Sequence, residues 1–503
     1  MPAALTLTVE PEATAQRMVG FGASDCWSIQ HVGEWPLEQR SAIADLLFAD
    51  GLDPRNDPLG IALSVWRFSI GAGSSRQGGF GRLWRDADAF YNDDFTGYDW
   101  NRLQGQRWFL QAAKARGVDR FIAFVNSPPV NLTKNGLAYC NGASGSTNLA
   151  EGREDEYAAY LAAIVTHFRE AEQISFDVIS PFNEPQWAWD AGTQEGCRYS
   201  AGDIRRAVDA LHAETGLGET EIEIPESGAI VDLWSGENYL EAFFRPDSPW
   251  YVGDKVAPTV TAHSYKTDLP ATGLVERRRE LREALDRHPG LGYSMTEYCP
   301  LGPHGNGRDL GMDTALMVAR VVHFDVVVAG ASSWQWWLAV SPYDYKDGLL
   351  YVDPDRPAGE ILQSKTLWAL GNFSRFIRPG MVRVGVTRSD GVADEGTAEG
   401  IMVSGFYDRV RGVVAVVAIN WSEQPAPIEI VARDLPVDEW IPYVTNGASD
   451  LKACAAIPAG EAIGVPARSV VTLVGHRAFS MADAGKRQRT PAQLEAHRTG
   501  RSS

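Results

Sequence analysis

Residues 176–187 read Phe-Asp-Val-Ile-Ser-Pro-Phe-Asn-Glu-Pro-Gln-Trp. The run 176–182 is short, apolar and without strict alternation, the pattern of a strand covered on both faces. It stops at Asn183-Glu184-Pro185. On either side lie stretches 154–169 and 201–214, whose apolar residues recur at three- and four-residue spacing, as with Tyr157, Leu161, Ile164 and Phe168. The unit is therefore helix, buried strand, helix. It recurs along the chain. Candidate strands are 19–24, 62–69, 121–126, 176–182, 221–226, 259–263, 292–297 and 332–337. Candidate helices are 36–48, 104–115, 154–169, 201–214, 236–244, 273–287, 312–325 and 359–376. Eight such units in a row predict an α/β fold, a (β/α)8 TIM barrel.

Past Arg378-Pro379-Gly380 the texture changes. Residues 382–386, 401–407, 413–420, 427–431 and 469–474 read as strands separated by turns, with no helical pattern between them, which predicts an appended all-β sandwich. Residues 5–9, LTLTV, alternate and precede the first barrel strand, so they are expected to join the sandwich. The expected domains are an N-terminal strand segment 1–18, a catalytic barrel 19–376, a sandwich 377–476 and a polar, mobile tail 477–503.

Composition sets limits on function. Of 503 residues, 65 are Asp or Glu and 46 are Lys or Arg, a formal charge of −19, which disfavours nucleic acid and anionic membranes as partners. No apolar run is long enough to span a bilayer; the most apolar stretch, 314–340, contains Arg320, His323 and Asp325. Five cysteines without a CxxC pair argue against a disulfide scaffold or a structural zinc site, while a Cys140–Cys197 bridge stays open. The first residues show neither a basic nor an apolar leader region, so a cytoplasmic location is expected if the native chain starts at Met1, and a secreted one if a leader has been removed.

In a barrel of this kind the site forms where the strands end. The polar residues at those ends are Arg67, Asn126, Asn183-Glu184, His263, Tyr265, Glu297 and the segment Trp334-Gln-Trp-Trp337. Glu184 and Glu297 are the centre of the pattern. Buried carboxylates are costly unless bonded or used. Two of them facing one cavity, about 5–5.5 Å apart, suit a retaining glycosidase, in which one protonates the leaving oxygen and the other attacks the sugar carbon.

The chain resembles glycoside hydrolase family 30, of the large clan of (β/α)8 retaining glycosidases. The resemblance rests on Gly20-Phe-Gly-Ala-Ser-Asp-Cys-Trp27, Arg67-Phe-Ser-Ile-Gly71, Asn126-Ser-Pro-Pro129, Ser180-Pro-Phe-Asn-Glu-Pro-Gln-Trp187, Ala262-His-Ser-Tyr265, Met295-Thr-Glu297 and Phe376-Ile-Arg-Pro-Gly380. With Gln194-Glu-Gly-Cys197 the motif set is most similar to endo-β-1,6-galactanases. The resemblance implies Glu184 as acid/base, Glu297 as nucleophile, and a sandwich built from both chain ends. Its implied substrate is a β-linked polysaccharide or oligosaccharide, foremost β-1,6-galactan, with glucuronoxylan, β-1,6-glucan or a β-glucoside as alternatives on the same scaffold.

Around that pair, Arg67 and Tyr265 are expected to donate to Glu297, and Asn183 to bond a sugar 2-hydroxyl. His263 either contacts sugar or orients one of the two glutamates, and Asn126 and Asp25 are lesser candidates for sugar hydroxyls. Pyranose rings present apolar C–H faces that stack on aromatics. Of Trp27, Trp187, Trp189, Trp334, Trp336 and Trp337, three are expected to face sugar, Trp336 and Trp187 foremost, with Tyr343-Asp344-Tyr345 extending the groove. No cofactor or metal is expected: the nine histidines are scattered and only His263 sits at a strand end. Cys299 is read as inert packing.

Overall fold

The computed structural model describes residues 4–476, apart from 78, 83, 143–145, 357 and 436. The expected tail 477–503 lies outside the described residues.

The chain opens with strand β1 (Leu5–Arg17) and then enters the barrel through β2 (Gly20–Ser24), β3 (Val65–Ile70), β4 (Arg120–Val125) and β5 (Val178–Ser180). The fifth barrel position is filled by two short pieces, β6 (Glu221–Ile222) and β7 (Ile224–Ser227), followed by β8 (Thr259–His263), β9 (Gly292–Glu297) and β10 (Ser333–Ser341). Pairing runs β6-β5-β4-β3-β2-β10-β9-β8-β7, every step parallel, and the join from β6 to β7 closes the ring. The single run expected at 221–226 is thus divided. Glu221 and Ile222 pair with β5, Ile224 to Ser227 pair with β8, and Glu223 between them is buried against Arg120 at 3.1 Å. The strands have almost no exposed residues on either face, which is why their sequences lack alternation.

Beyond that division, two features of the barrel and the N-terminal segment depart from expectation. Residues 359–376 were expected to be one helix. Instead β11 (Gly348–Val352) and β12 (Ile361–Gln363) form a hairpin that extends the sheet beside β10, and the helix runs only over Lys365–Ser374. Ser364 sets that start, its Oγ accepting the Leu367 N–H, as an N-cap does. The second departure is β1, which continues to Arg17, well past residue 9.

The C-terminal part is β13 (Val382–Arg388), β14 (Ile401–Asp408), β15 (Val413–Asn420), β16 (Ala426–Val431), β17 (Glu439–Asn446), β18 (Ser449–Ala453), β19 (Ile457–Pro458), β20 (Ile463–Val465) and β21 (Ser469–His476). With β1 they make one mixed ten-stranded sheet, in which β1 is antiparallel to β13 and parallel to β16. The sheet curls so that Trp440 of β17 and Ile463 of β20 share a core with Leu7 and Val9 of β1. β15 divides its side chains by period two. Val414, Val416 and Ala418 enter that core, while Ala415, Val417 and Ile419 pack on the barrel. Strands β17 to β20 were not expected: Pro442 lacks a donor within β17, and the others are short.

Candidate active site

The strand ends deliver a compact charged cluster. Arg67 points inward from β3, wholly buried, its guanidinium 4.1 Å from the Phe124 ring centroid on β4. It donates to the Thr296 carbonyl at 2.9 Å, to Glu297 Oε2 at 3.1 Å and to Glu226 Oε2 at 3.4 Å. The Tyr265 hydroxyl donates to Glu297 Oε1 at 2.9 Å, so the Glu297 carboxylate is held at both oxygens. His263 bridges two carboxyls: Nδ1 lies 3.0 Å from Glu184 Oε1 and Nε2 lies 3.0 Å from Glu226 Oε2. The Thr296 hydroxyl donates to Glu226 Oε2 at 2.6 Å.

Backbone conformation aims two of these groups. Glu184 and Glu226 both take left-handed φ, 44° and 58°, and the Glu184 N–H donates to the Glu226 carbonyl at 2.8 Å. Such positions cost about 1–3 kcal/mol each and persist where the surroundings over-determine them. Gly228 is required by close approach: a Cβ there would lie 2.9 Å from Glu184 Cδ and 2.4 Å from Trp187 Nε1. One ligand oxygen from each of Glu184 and Glu297, with a ring nitrogen of His263, lie within 4.8 Å of one another. That spacing could also hold a cation, although hydrogen bonds inside the protein already engage all three side chains.

The titration states follow from this packing. Burial alone would push the Glu226 carboxyl up, but Arg67, His263 and Thr296 outweigh it and hold it at about 2. Burial alone would push His263 down, but Glu297, Glu184 and Glu226 outweigh it and raise it to about 10, so it is an imidazolium at neutral pH. Burial raises Glu297 above the ordinary carboxylate value; His263 and Arg67 pull against the rise, and the Glu184 carboxyl adds to it.

Above the cluster opens a cavity of about 600 Å³. Asn183, Glu184, Tyr265 and Glu297 line its floor, and Trp27, Trp189, Trp337, Tyr343 and Tyr345 its walls. Trp189 is fixed by its Nε1 donating to the Glu184 carbonyl at 3.1 Å, and Trp27 packs edge-on against Trp337 at 5.2 Å.

Several expectations move. Trp336 has no exposed surface; its Nε1 donates to the Asp347 carbonyl and its ring stacks on Trp334, so it is core, and Trp337 takes the place at the cavity. Trp187 is not among the residues at the cavity: Lys266 Nζ sits 3.7 Å from its ring centroid. Asp25 is wholly buried and accepts from the Ser69 N–H at 2.8 Å and from Gln106 at 3.0 Å, with burial raising its pKa to about 8. It braces β2 against β3 and the helix Gln104–Ala115 instead of meeting a ligand. Asn126 is buried with its Nδ2 on the Cys26 sulfur at 3.8 Å and does not reach the cavity surface. Arg67 and His263 stand behind the two glutamates, beneath the cavity surface. Cys299 touches the cavity, but burial pushes its thiol well above the ordinary value, so it stays protonated.

Sequence reasoning passed over Glu226. It ends the candidate strand 221–226, so the rule that singled out Glu184 and Glu297 would have found it, but no adjoining motif drew attention to Pro225-Glu226. Glu195, read in the sequence only as part of the Gln194–Cys197 motif, accepts from the Ala72 and Ser74 N–H groups and the Ser74 hydroxyl, tying the loop after β5 to the loop after β3.

The family model O-Glycosyl hydrolase family 30 matches residues 4–351. An endo-β-1,6-galactanase from Hypocrea rufa is 29% identical over 443 residues, 83% of this chain and 81% of that protein. A glucuronoxylanase from Bacillus subtilis is 23% identical over 384 residues, 74% of this chain and 78% of that protein. Among solved structures, a conserved exported protein from Bacteroides fragilis is 30% identical with a TM-score of 0.87, covering 93% of this chain and 100% of that one.

Proposed function

The chain belongs to O-glycosyl hydrolase family 30 and is a glycoside hydrolase, and on that premise we propose that it cleaves β-1,6-linked galactan with retention of configuration, Glu184 serving as acid/base and Glu297 as nucleophile. The observation that carries the mechanism is the approach of the two carboxyls, with oxygens within 4.8 Å. Double displacement needs the pair about 5–5.5 Å apart, whereas inversion needs about 6.5–9.5 Å to seat a water.

The roles divide by donors. Glu297 receives Arg67 and Tyr265, and Glu226 receives Arg67, Thr296 and His263. Among the described residues, Glu184 has only the His263 nitrogen on its carboxyl. Two fixed cations, Arg67 and His263, face three carboxyls in a buried site. Glu184, the carboxyl with the fewest donors and open to the cavity, is the one placed to bring a proton to the reaction. Glu184 then gives that proton to the departing glycosidic oxygen as Glu297 attacks the anomeric carbon. A covalent glycosyl-enzyme forms. Glu184, now a carboxylate, takes a proton from an incoming water, whose oxygen displaces Glu297. Trp27, Trp189 and Trp337 supply faces for the sugar C–H surface, and Asn183 is placed for a hydroxyl.

The β-1,6-galactan assignment is supported by the galactanase relative, which covers most of this chain. It is tested by incubating the enzyme with β-1,6-galactan, β-1,6-glucan and glucuronoxylan and following reducing ends. The expected result is release from galactan well ahead of the other two. Preference for glucan or glucuronoxylan would transfer the mechanism to that substrate.

A further inference from the structure

Two cysteines come together in the loops behind the cavity-wall residue Trp189. Cys140 lies in the loop after β4 and Cys197 in the loop after β5, both buried. The Arg198 N–H, next in the chain to Cys197, donates to the Cys140 sulfur at 3.5 Å, which brings the two cysteines together. The loops that carry them are already laced together: the Cys140 N–H donates to the Trp189 carbonyl at 2.8 Å, and the Gly196 N–H to the Ala138 carbonyl at 2.9 Å. Between these ties sits Trp189, whose ring forms part of the cavity wall and whose indole N–H holds the Glu184 carbonyl.

We propose that Cys140 and Cys197 are a modification site, joined by a disulfide that staples the loop after β4 to the loop after β5 and so fixes the wall bearing Trp189. The reacting partner is a disulfide-bearing oxidant, a small molecule or a thiol–disulfide exchange protein. The Cys140 thiolate attacks one sulfur of that oxidant, breaking its S–S bond, forming a mixed disulfide and releasing one thiolate. Cys197 sulfur then attacks the Cys140 sulfur. The new S–S bond closes as the second oxidant thiolate leaves, and the two protons of the cysteines pass to the two departing sulfurs. Two protein thiols are oxidised and one external disulfide is reduced.

The chemistry of the pair is unequal in the required sense. The Cys197 hydrogen bond, together with the Arg198 N–H and charge, outweighs burial and lowers Cys140 to about 7, whereas burial raises Cys197 well above the ordinary thiol value. With the Arg198 N–H donating to its sulfur, Cys140 is the thiol placed to attack and Cys197 the one to resolve. The other cysteines lack such a partner among the described residues: Cys26 and Cys299 are separately buried, and Cys454 is exposed in the sandwich. A link between residues 140 and 197 closes a long stretch of chain, the case in which cross-linking stabilises most.

The test refolds the full chain in a reduced/oxidised glutathione buffer and, in parallel, in excess reductant. Thiols are then alkylated in denaturant and the protein is digested without reduction. Of the five thiols, two are expected to be blocked in the oxidised sample, with the peptides carrying Cys140 and Cys197 linked and lighter by two hydrogens. The oxidised protein is expected to melt several degrees higher, and Cys140→Ser to abolish that redox-dependent shift. Cys454→Ser removes the exposed thiol and is expected to leave both the link and the hydrolytic activity unchanged. Five alkylatable thiols after oxidation, or a link to any other cysteine, would overturn the proposal. Because the readouts are thiol chemistry and melting, they stand apart from the substrate assignment.

Discussion

The curled sheet and the barrel mouth are both dry interiors, built on opposite terms. In the sheet, Leu7, Val9, Val416, Ile428, Ile463 and Leu473 form a core of aliphatic side chains with Trp440. Each buried aliphatic side chain there contributes on the order of 1.5–3 kcal/mol by leaving water. At the barrel mouth, Arg67, His263, Glu226 and Glu297 are buried to 4% exposure or less, and their charges are matched to one another and to Glu184. Such a network is no better than neutral for stability when complete, and costs about 3–5 kcal/mol when one partner is removed. The first interior makes the fold and the second makes the chemistry. Changes in the sheet should therefore act on stability, and changes at the mouth on turnover first, with a stability cost beside it.

The largest effects should come from the mouth. Glu297→Gln is expected to lower kcat about 10³-fold or more with the fold intact, since it removes the proposed nucleophile. Glu184→Gln is expected to lose about as much on a natural polysaccharide but far less on an aryl glycoside, whose leaving group needs no proton. Rates near wild type in either variant would break the contrast. Next comes pH. His263 sits at about 10 against an ordinary 6.5, so its stabilising charge is fully present below 6.5 and is lost as pH rises through 10. Glu226 sits at about 2 against an ordinary 4.5, so its contribution is present above 4.5 and is lost as pH falls toward 2. Melting followed across pH should hold a plateau between 4.5 and 6.5 as far as these two groups determine it, and His263→Gln should flatten the alkaline decline. The acid limb of the rate profile should lie above the ordinary carboxylate range, because burial raises Glu297. An acid limb at ordinary values would contradict that placement.

The sheet should answer in the other currency. Leu473→Ala is expected to destabilise by about 2–5 kcal/mol in denaturant unfolding while leaving kcat of the folded enzyme unchanged. The smallest effect belongs to the cavity wall. Trp337→Ala is expected to raise KM about 10-fold, roughly 1.4 kcal/mol of lost stacking, and, because the ring is mostly buried, to lower the melting temperature as well. A lost fold in this variant would place the ring in the core with Trp336.

Where the sequence was legible, one physical signal sufficed. The strands at 259–263 and 292–297 have the bounds read from their apolar runs, because each ends abruptly in a polar site residue. The convergence of Glu184 and Glu297 was legible for the same reason, since two glutamates that end strands of one barrel face the same mouth. The tryptophans were not. In β10 side chains alternate between faces, and a shift of one residue exchanges them. With Trp334, Trp336 and Trp337 all aromatic, composition does not reveal the phase, and a register shift falls between Trp336 and Leu338. Asp25 misled because a polar strand end looks the same whether it meets a ligand or the Ser69 amide. The hairpin of β11 and β12 was hidden because β12 has only Ile361–Gln363 to declare itself before the helix begins. Glu226 was visible and unread.

The central claim is that Glu184 and Glu297 stand close enough for double displacement. Proton NMR of the first sugar released from a β-linked substrate, recorded before mutarotation, tests it directly. The account predicts the β anomer as initial product. An initial α anomer would require a water between the carboxyls and would contradict it.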